Sequence, residues 1–329
     1  MSRTYACAVR GRRQAVEIVF DHATKRYPGR TAPAVDDLTL EVPAGELCCL
    51  VGPSGGGKTT AMKLVNRLVE LTSGDIRIGG RSVTSLDETE LRRGIGYVIQ
   101  QVGLFPHMTV AENIATVPRL LGWSKSEIAE RVDELLDLVD LPAGDYRSRY
   151  ASQLSGGERQ RVGLARALAA DPPVMLMDEP FGALDPITRA RLQKELLRIQ
   201  SELRKTIIFV THDIDEAILL ADRIAILREG GVLVQYDTPD AILAEPADDF
   251  VARFVGADRG LKRLSLKRLS EIELDPANGV VSPAADDGTT LRDALSLMLS
   301  EGSRRLAVVD GDGRPRGVLT LERLTELLS

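Results

Sequence analysis

VGPSGGGKTT, residues 51–60, is the stretch on which the reading of this chain turns. Gly52, Gly57, Lys58 and Thr59 satisfy the pattern G-x-x-x-x-G-K-[ST], and Pro53, Ser54, Gly55, Gly56 and Thr60 complete the loop. The apolar run ELCCL before it predicts a buried strand, and KTTAMKLVNRLVE after it predicts a helix, the setting this pattern requires. Glycines at this density let the backbone curl until several N–H groups point at one anion. The following helix adds the positive end of its dipole. Lys58 has the length to reach the β- and γ-phosphates of a nucleoside triphosphate, and Thr59 can ligate Mg2+.

Outward from the loop, short apolar runs alternate with amphipathic helices. PVMLMDE (173–179), TIIFVTH (206–212) and DRIAIL (222–227) predict further buried strands, so the sheet is parallel and covered on both faces. SKSEIAERVDELLDLVD (124–140) predicts a helix with Ile128, Val132, Leu135, Leu136 and Val139 on one face, and Ser124 and Glu127 at capping-box spacing. Asp185 as N-cap and Pro186 at the first helical position open another helix, with Leu192, Leu196, Ile199 and Leu203 recurring along it. At 329 residues, 43% apolar and 27% charged, the chain is long enough for two domains with full cores. Its net charge of −6 argues against a nucleic-acid partner, which needs a basic face. No stretch reaches the roughly 18 apolar residues of a membrane span, and the basic N-terminus lacks the apolar segment of a secretory leader. Cys7, Cys48 and Cys49 form no spaced ligand set and read as buried, reduced thiols.

A phosphate cradle alone does not specify hydrolysis. VMLMDE ends a buried strand in Asp178, placed to hold a metal, and Glu179, placed to orient and deprotonate an attacking water. LSGGERQR (154–161) is a second glycine turn leading into a helix, with Ser155 as its cap. YVIQQVG puts Gln100 just past a predicted strand, and FVTHD ends another with His212.

Taken together, these motifs resemble those of the ATP-binding subunits of ABC transporters, over residues 16–256. GPSGGGKTT is similar to that family's Walker A loop, VMLMDE to its Walker B strand, LSGGE to its signature, Gln100 to its Q-loop glutamine, GALD to its D-loop and His212 to its switch histidine. Tyr27 in ATKRYPG falls where the family stacks an aromatic on adenine. The resemblance implies an α/β P-loop NTPase fold, a RecA-like core with a helical subdomain at about 102–165. It implies ATP and Mg2+ as cofactors, the metal on Thr59, Gln100 and Asp178, and catalysis by Glu179 with His212, Gln100 and Lys58. Two copies would bind head to tail, so that Ser155, Gly156, Gly157 and Asp185 of one complete the ATP site of the other. Other partners implied are two membrane-spanning permease subunits and an extracytoplasmic solute-binding protein, with the chain peripheral on the cytoplasmic face of the membrane.

Lys58 and Asp178 are too close in sequence for the coiled coil of chromosome-maintenance members, and the chain carries one nucleotide domain and no fused membrane domain. LRRGIGYVIQQVGLFPHMTVAENI, DEPFGALDPITRARLQ and PADDFVARFVGADRG resemble the glycine betaine, carnitine and choline importers. Another cargo, amino acids or polyamines, and a non-transport ABC switch are the alternatives.

Residues 1–15 read as an extension, 257–275 as a linker and 276–329 as a small α+β module similar to one CBS motif. That module departs from nucleotide-binding copies, which place Asp three positions after the second-strand Thr; here Arg323 follows Thr320. The DGDG turn (310–313) reads as a hairpin rather than a calcium loop, since Arg314 and a missing glutamate break the ligand pattern. RGLKRLSLKRLS (259–270) places five basic residues within 259–268 and reads as a solvated linker or a contact for anionic lipid.

Overall fold

The computed structural model describes residues 14–100, 103–182, 184–276 and 282–327, so Cys7 and nearly all of the N-terminal extension lie outside the described residues. The chain divides into two compact units, Met1–Asp213 with Leu220–Tyr236, and Ile214–Leu219 with Asp237–Ser329.

The first unit is built on a six-stranded sheet in the order Val232–Asp237, Arg223–Arg228, Leu47–Val51, Thr206–Val210, Val174–Asp178, Ile95–Val98. The four pairings among the last five strands of that order are all parallel. Every residue of Leu47–Val51, Val174–Asp178 and Thr206–Val210 is buried, as continuous apolar runs demand when helices cover both faces. A second sheet, ordered Val35–Val42, Ile18–Lys25, Ser73–Ile78, Arg81–Ser82, is antiparallel and alternates more strongly between buried and exposed positions. Cys48 lies in the core between these layers with Phe20, Leu50, Met62 and Val210, and Cys49 is equally enclosed. Burial pushes the Cys48 thiol up to about 12.

Local signals set most helix ends. Ser124 with Glu127 closes a full capping box on Lys125–Leu138, and Asp185 accepts from the N–H groups of Ile187 and Thr188 at the head of Pro186–Leu203. The helix after the glycine loop ends earlier than its sequence suggests, at Val65, because Arg67 takes a left-handed φ of 51°. The helices Val110–Ile114 and Lys125–Leu138 pack on Gly156–Leu168. Buried Asn113 ties the loop before them, accepting the Phe105 N–H and donating to the carbonyls of Phe105, Met108 and Thr109. No helix among the described residues is long and apolar enough to cross a membrane.

In the second unit, Ala284–Asp286 pairs parallel with Arg305–Val309, which pairs antiparallel with Pro315–Thr320, and the helix Leu291–Ser300 makes the crossover. The Asp310 carboxylate accepts from Asp312 N–H and Arg314 N–H, so the DGDG stretch forms the turn between two antiparallel strands. Arg323 pairs with Glu273 and Glu326.

The linker reading of 257–275 needs correction. Arg259–Leu266 is a helix, and Leu264 and Leu269 belong to the same core as Leu291, Met298, Val308 and Leu319. Asp275 forms an isolated antiparallel bridge with Val318, so the chain joins the module before residue 276. Nor is the basic stretch uniformly solvated. Lys262 is only 9% exposed and reaches Asp215 (2.9 Å), Asp258 (3.3 Å) and the Val255 carbonyl (2.8 Å). Burial works against its charge, but the bonds and charges of the two carboxylates offset it and raise its pKa. The amphipathic pattern is hidden in composition because a lysine stem packs as an apolar group.

Candidate functional site

The glycine loop leaves the strand Leu47–Val51 and enters the helix Lys58–Val65. Two of its glycines are required by close backbone approach. A Cβ on Gly52 would lie 2.1 Å from the Leu227 carbonyl oxygen, and one on Gly57 2.1 Å from that of Ala34, both at positive φ. The loop is therefore wedged between the chain before Val35 and the end of Arg223–Arg228. Lys58 is buried, and its Nζ donates to the Gly52 (2.8 Å) and Pro53 (2.9 Å) carbonyls, so the ammonium lies across the curl it belongs to. Burial lowers its pKa, against the pull of Glu179 and Asp178.

Parallel register then brings separate motifs to one place. Leu50 and Asp178 both pair with Val210, from opposite sides of the Thr206–Val210 strand. Thr59 Oγ1 donates to Asp178 Oδ1 at 3.0 Å. Asp178 is 9% exposed, and burial raises its pKa, partly countered by the Thr59 bond. A hydroxyl and a carboxylate side by side are hard oxygen donors of the kind Mg2+ takes, so the residues fit that ion.

Glu179 follows at a φ of 42°, a left-handed geometry that costs energy in any residue but glycine. Its N–H donates to the Val210 carbonyl (2.9 Å), which fixes the turn. Its Oε2 receives Gln100 Nε2 at 3.2 Å and stands 3.2 Å from His212 Nδ1. Three residues at the ends of three strands thus meet on one carboxylate oxygen.

Ser155, Gly156, Gly157 and Asp185 form a different cluster, at the adjoining N-termini of Gly156–Leu168 and Pro186–Leu203. Ser155 closes a capping box with Glu158. A Cβ on Gly157 would lie 2.8 Å from Thr188 Cγ2, and one on Gly156 3.8 Å from Leu184 Cδ2. The glycines here make room for the neighbouring helix as well as exposing N–H groups. The Asp185 carboxyl is held below its ordinary range, first by Thr188. Tyr27 lies in the turn between the first two strands, with Lys25 Nζ 5.1 Å from its ring centroid; the far end of that loop, Ala34, abuts Gly57.

Sequence reasoning missed Tyr146 and Thr188. Tyr146 donates to Glu158 Oε1 at 2.6 Å. Nothing in its local pattern marks it, whereas the spacing of Ser155 and Glu158 does signal the capping box.

The ABC transporter family model matches residues 35–182, and the CBS domain model residues 280–329. The chain is 48% identical over 303 residues to the osmoprotectant import ATP-binding protein of Salmonella typhimurium (strain LT2), covering 91% of this chain and 78% of that relative. It is 48% identical over 310 residues to the glycine betaine uptake system ATP-binding protein of Escherichia coli (strain K12), covering 93% and 98%. Among solved structures, the dimeric structure of a bacterial ABC transporter cassette superposes with a TM-score of 0.60 at 34% identity, over 67% of this chain and 98% of that one. The same cassette in a post-hydrolysis state bound to ADP and Pi gives 0.59 at 33% identity, over 67% and 98%.

Proposed function

Because the chain belongs to the ABC transporter ATP-binding family, we propose that it energises uptake of quaternary-amine osmoprotectants of the glycine betaine, choline and carnitine type. It is an ABC ATPase, and enzymes of this kind dimerise and work with membrane permeases. In our reading it sits on the cytoplasmic face of the membrane, on two permease subunits fed by an extracytoplasmic solute-binding protein. The cargo class rests on the names of its relatives; those other subunits select it.

The carrying observation for the chemistry is the meeting of Gln100 and His212 on Glu179 beside the Thr59–Asp178 pair. In this reading the loop Gly52–Gly57 and Lys58 hold the ATP phosphates, and Tyr27 stacks on the adenine. Thr59, Asp178 and Gln100 would hold Mg2+, which neutralises phosphate charge when bound. Glu179 takes the proton of the attacking water, and His212 and Gln100 keep its carboxylate aimed. A second copy lends Ser155, Gly156, Gly157 and Asp185, so that closing the dimer excludes water and completes the site.

Glu179→Gln tests this directly. Turnover should fall by about a hundredfold or more, the usual worth of a general base, while ATP binding persists and dimers accumulate. Near-normal turnover would sink the assignment. Loss of labelled glycine betaine uptake on deleting the chain, restored by the wild type and not by Glu179→Gln, tests the cargo.

A further inference from the structure

The cap that presents Ser155 is held from outside its own motif. Glu158 Oε2 accepts the Ser155 N–H at 2.6 Å, and Ser155 Oγ accepts the Glu158 N–H at 3.3 Å. The Ser155 hydroxyl also bonds the Glu158 carboxylate, so that one carboxylate sets the position of the serine side chain as well as of its N–H. The second carboxylate oxygen, Oε1, accepts the Tyr146 hydroxyl at 2.6 Å. A capping box needs only one oxygen; engaging the other stops the carboxylate from turning about its bond.

Tyr146 is itself fixed. It closes the short helix Ala143–Tyr146, and the Arg149 guanidinium lies 4.4 Å from its ring centroid. Nη1 of the adjacent Arg147 donates to both Asp133 oxygens, at 2.7 and 2.8 Å, anchoring the turn to Lys125–Leu138. The bond to Tyr146, then those to Ser155, hold the Glu158 carboxyl down to about 2, so the acceptor is ionised at any working pH.

We propose that Tyr146 is a positioning residue for ATP hydrolysis, which through the Glu158 carboxylate aims Ser155 at the γ-phosphate bound by the partner copy. The inference rests on the reading of Ser155 as a contact made across the dimer. Its consequence is that Lys125–Leu138, by way of Asp133, Arg147 and Tyr146, is mechanically linked to the nucleotide of the twin.

The test is Tyr146→Phe in the full chain, which removes one hydroxyl. In the Glu179→Gln background, the ATP concentration giving half-maximal dimer by light scattering should rise about three- to tenfold, the effect of one charge-assisted hydrogen bond partly replaced by water. Affinity for a fluorescent ATP analogue at protein concentrations too low for dimerisation should not change, since the chain's own phosphate loop is untouched. With Glu179 intact, kcat should fall by the same factor. Glu158→Ala, which also removes the capping bond to Ser155, should produce at least as large a shift, and adding Tyr146→Phe to it should change nothing more. Ser155→Ala separates the two claims. If it leaves dimerisation unaffected, the contact across the dimer is wrong and the proposal falls with it. If it weakens dimerisation while Tyr146→Phe does not, or if Tyr146→Phe costs as much in the Glu158→Ala background, only the positioning role of Tyr146 is overturned.

Discussion

Gly157→Ala should change sign with the residue at 188. The added methyl would stand 2.8 Å from Thr188 Cγ2, well inside an ordinary carbon–carbon contact of about 3.5 Å or more. Thr188 cannot simply turn aside. Its side chain is β-branched, and it is held by Asp185, whose carboxylate also accepts its N–H at 3.0 Å. Overpacking of this kind costs about 1–3 kcal/mol. Against it stands the roughly 0.5–1 kcal/mol by which alanine favours a helix over glycine. The net expectation is a loss of about 1–2 kcal/mol with Thr188 in place. In the Thr188→Ala background the clash is gone and only the helix term remains, so the same substitution should be neutral or stabilise by up to about 1 kcal/mol. The coupling energy, about 2 kcal/mol, lies within the range for residues in direct contact. Because the chain has two compact units, a single global unfolding energy is the wrong readout. Amide hydrogen exchange of peptides from Gly156–Leu168, compared across the four variants, reports the local term. Equal effects of Gly157→Ala in both backgrounds would refute the packing argument and leave anion contact as the sole reason for that glycine.

Three further outcomes follow from the same structure. The Glu158 carboxyl is held down to about 2, so its contribution to stability is complete above its unfolded value near 4.5 and is lost as pH falls through about 2; Glu158→Gln should flatten that part of an acid-stability profile, and an unchanged profile counts against the Tyr146 and Ser155 bonds. Lys262→Met keeps the stem but strips Asp215, Asp258 and the Val255 carbonyl of their shared donor; since both carboxylates are more than half exposed and regain water, the cost should be about 1–2 kcal/mol, read as faster exchange in Arg259–Leu266, rather than the 3–5 of a fully buried pair. Cys48 and Cys49 should resist iodoacetamide at pH 8 in the folded chain and react in denaturant, whereas labelling of the folded protein at either position would contradict their burial.

What the sequence determined by itself was local. The glycine loop announced a phosphate site because a strand, a curl and a helix N-terminus need only neighbours in the chain to form one. Asp185, Pro186, Ser124 and Glu127 marked helix starts because a cap bonds N–H groups two or three residues away. The buried strands were legible as unbroken apolar runs. Composition misled at 257–275, where Lys262 counted as a solvated charge although its stem and partners bury it. Only the tertiary structure decided that Gln100 and His212 meet on one oxygen of Glu179, that Thr59 meets Asp178, and that Tyr146 grips Glu158. Those contacts depend on which strands lie side by side and in what register, and Val210 sits between Leu50 and Asp178 only because three separate runs pair in parallel. A hydrogen bond to a near neighbour is written in spacing; one between strand ends far apart in the chain is written in how the whole sheet packs.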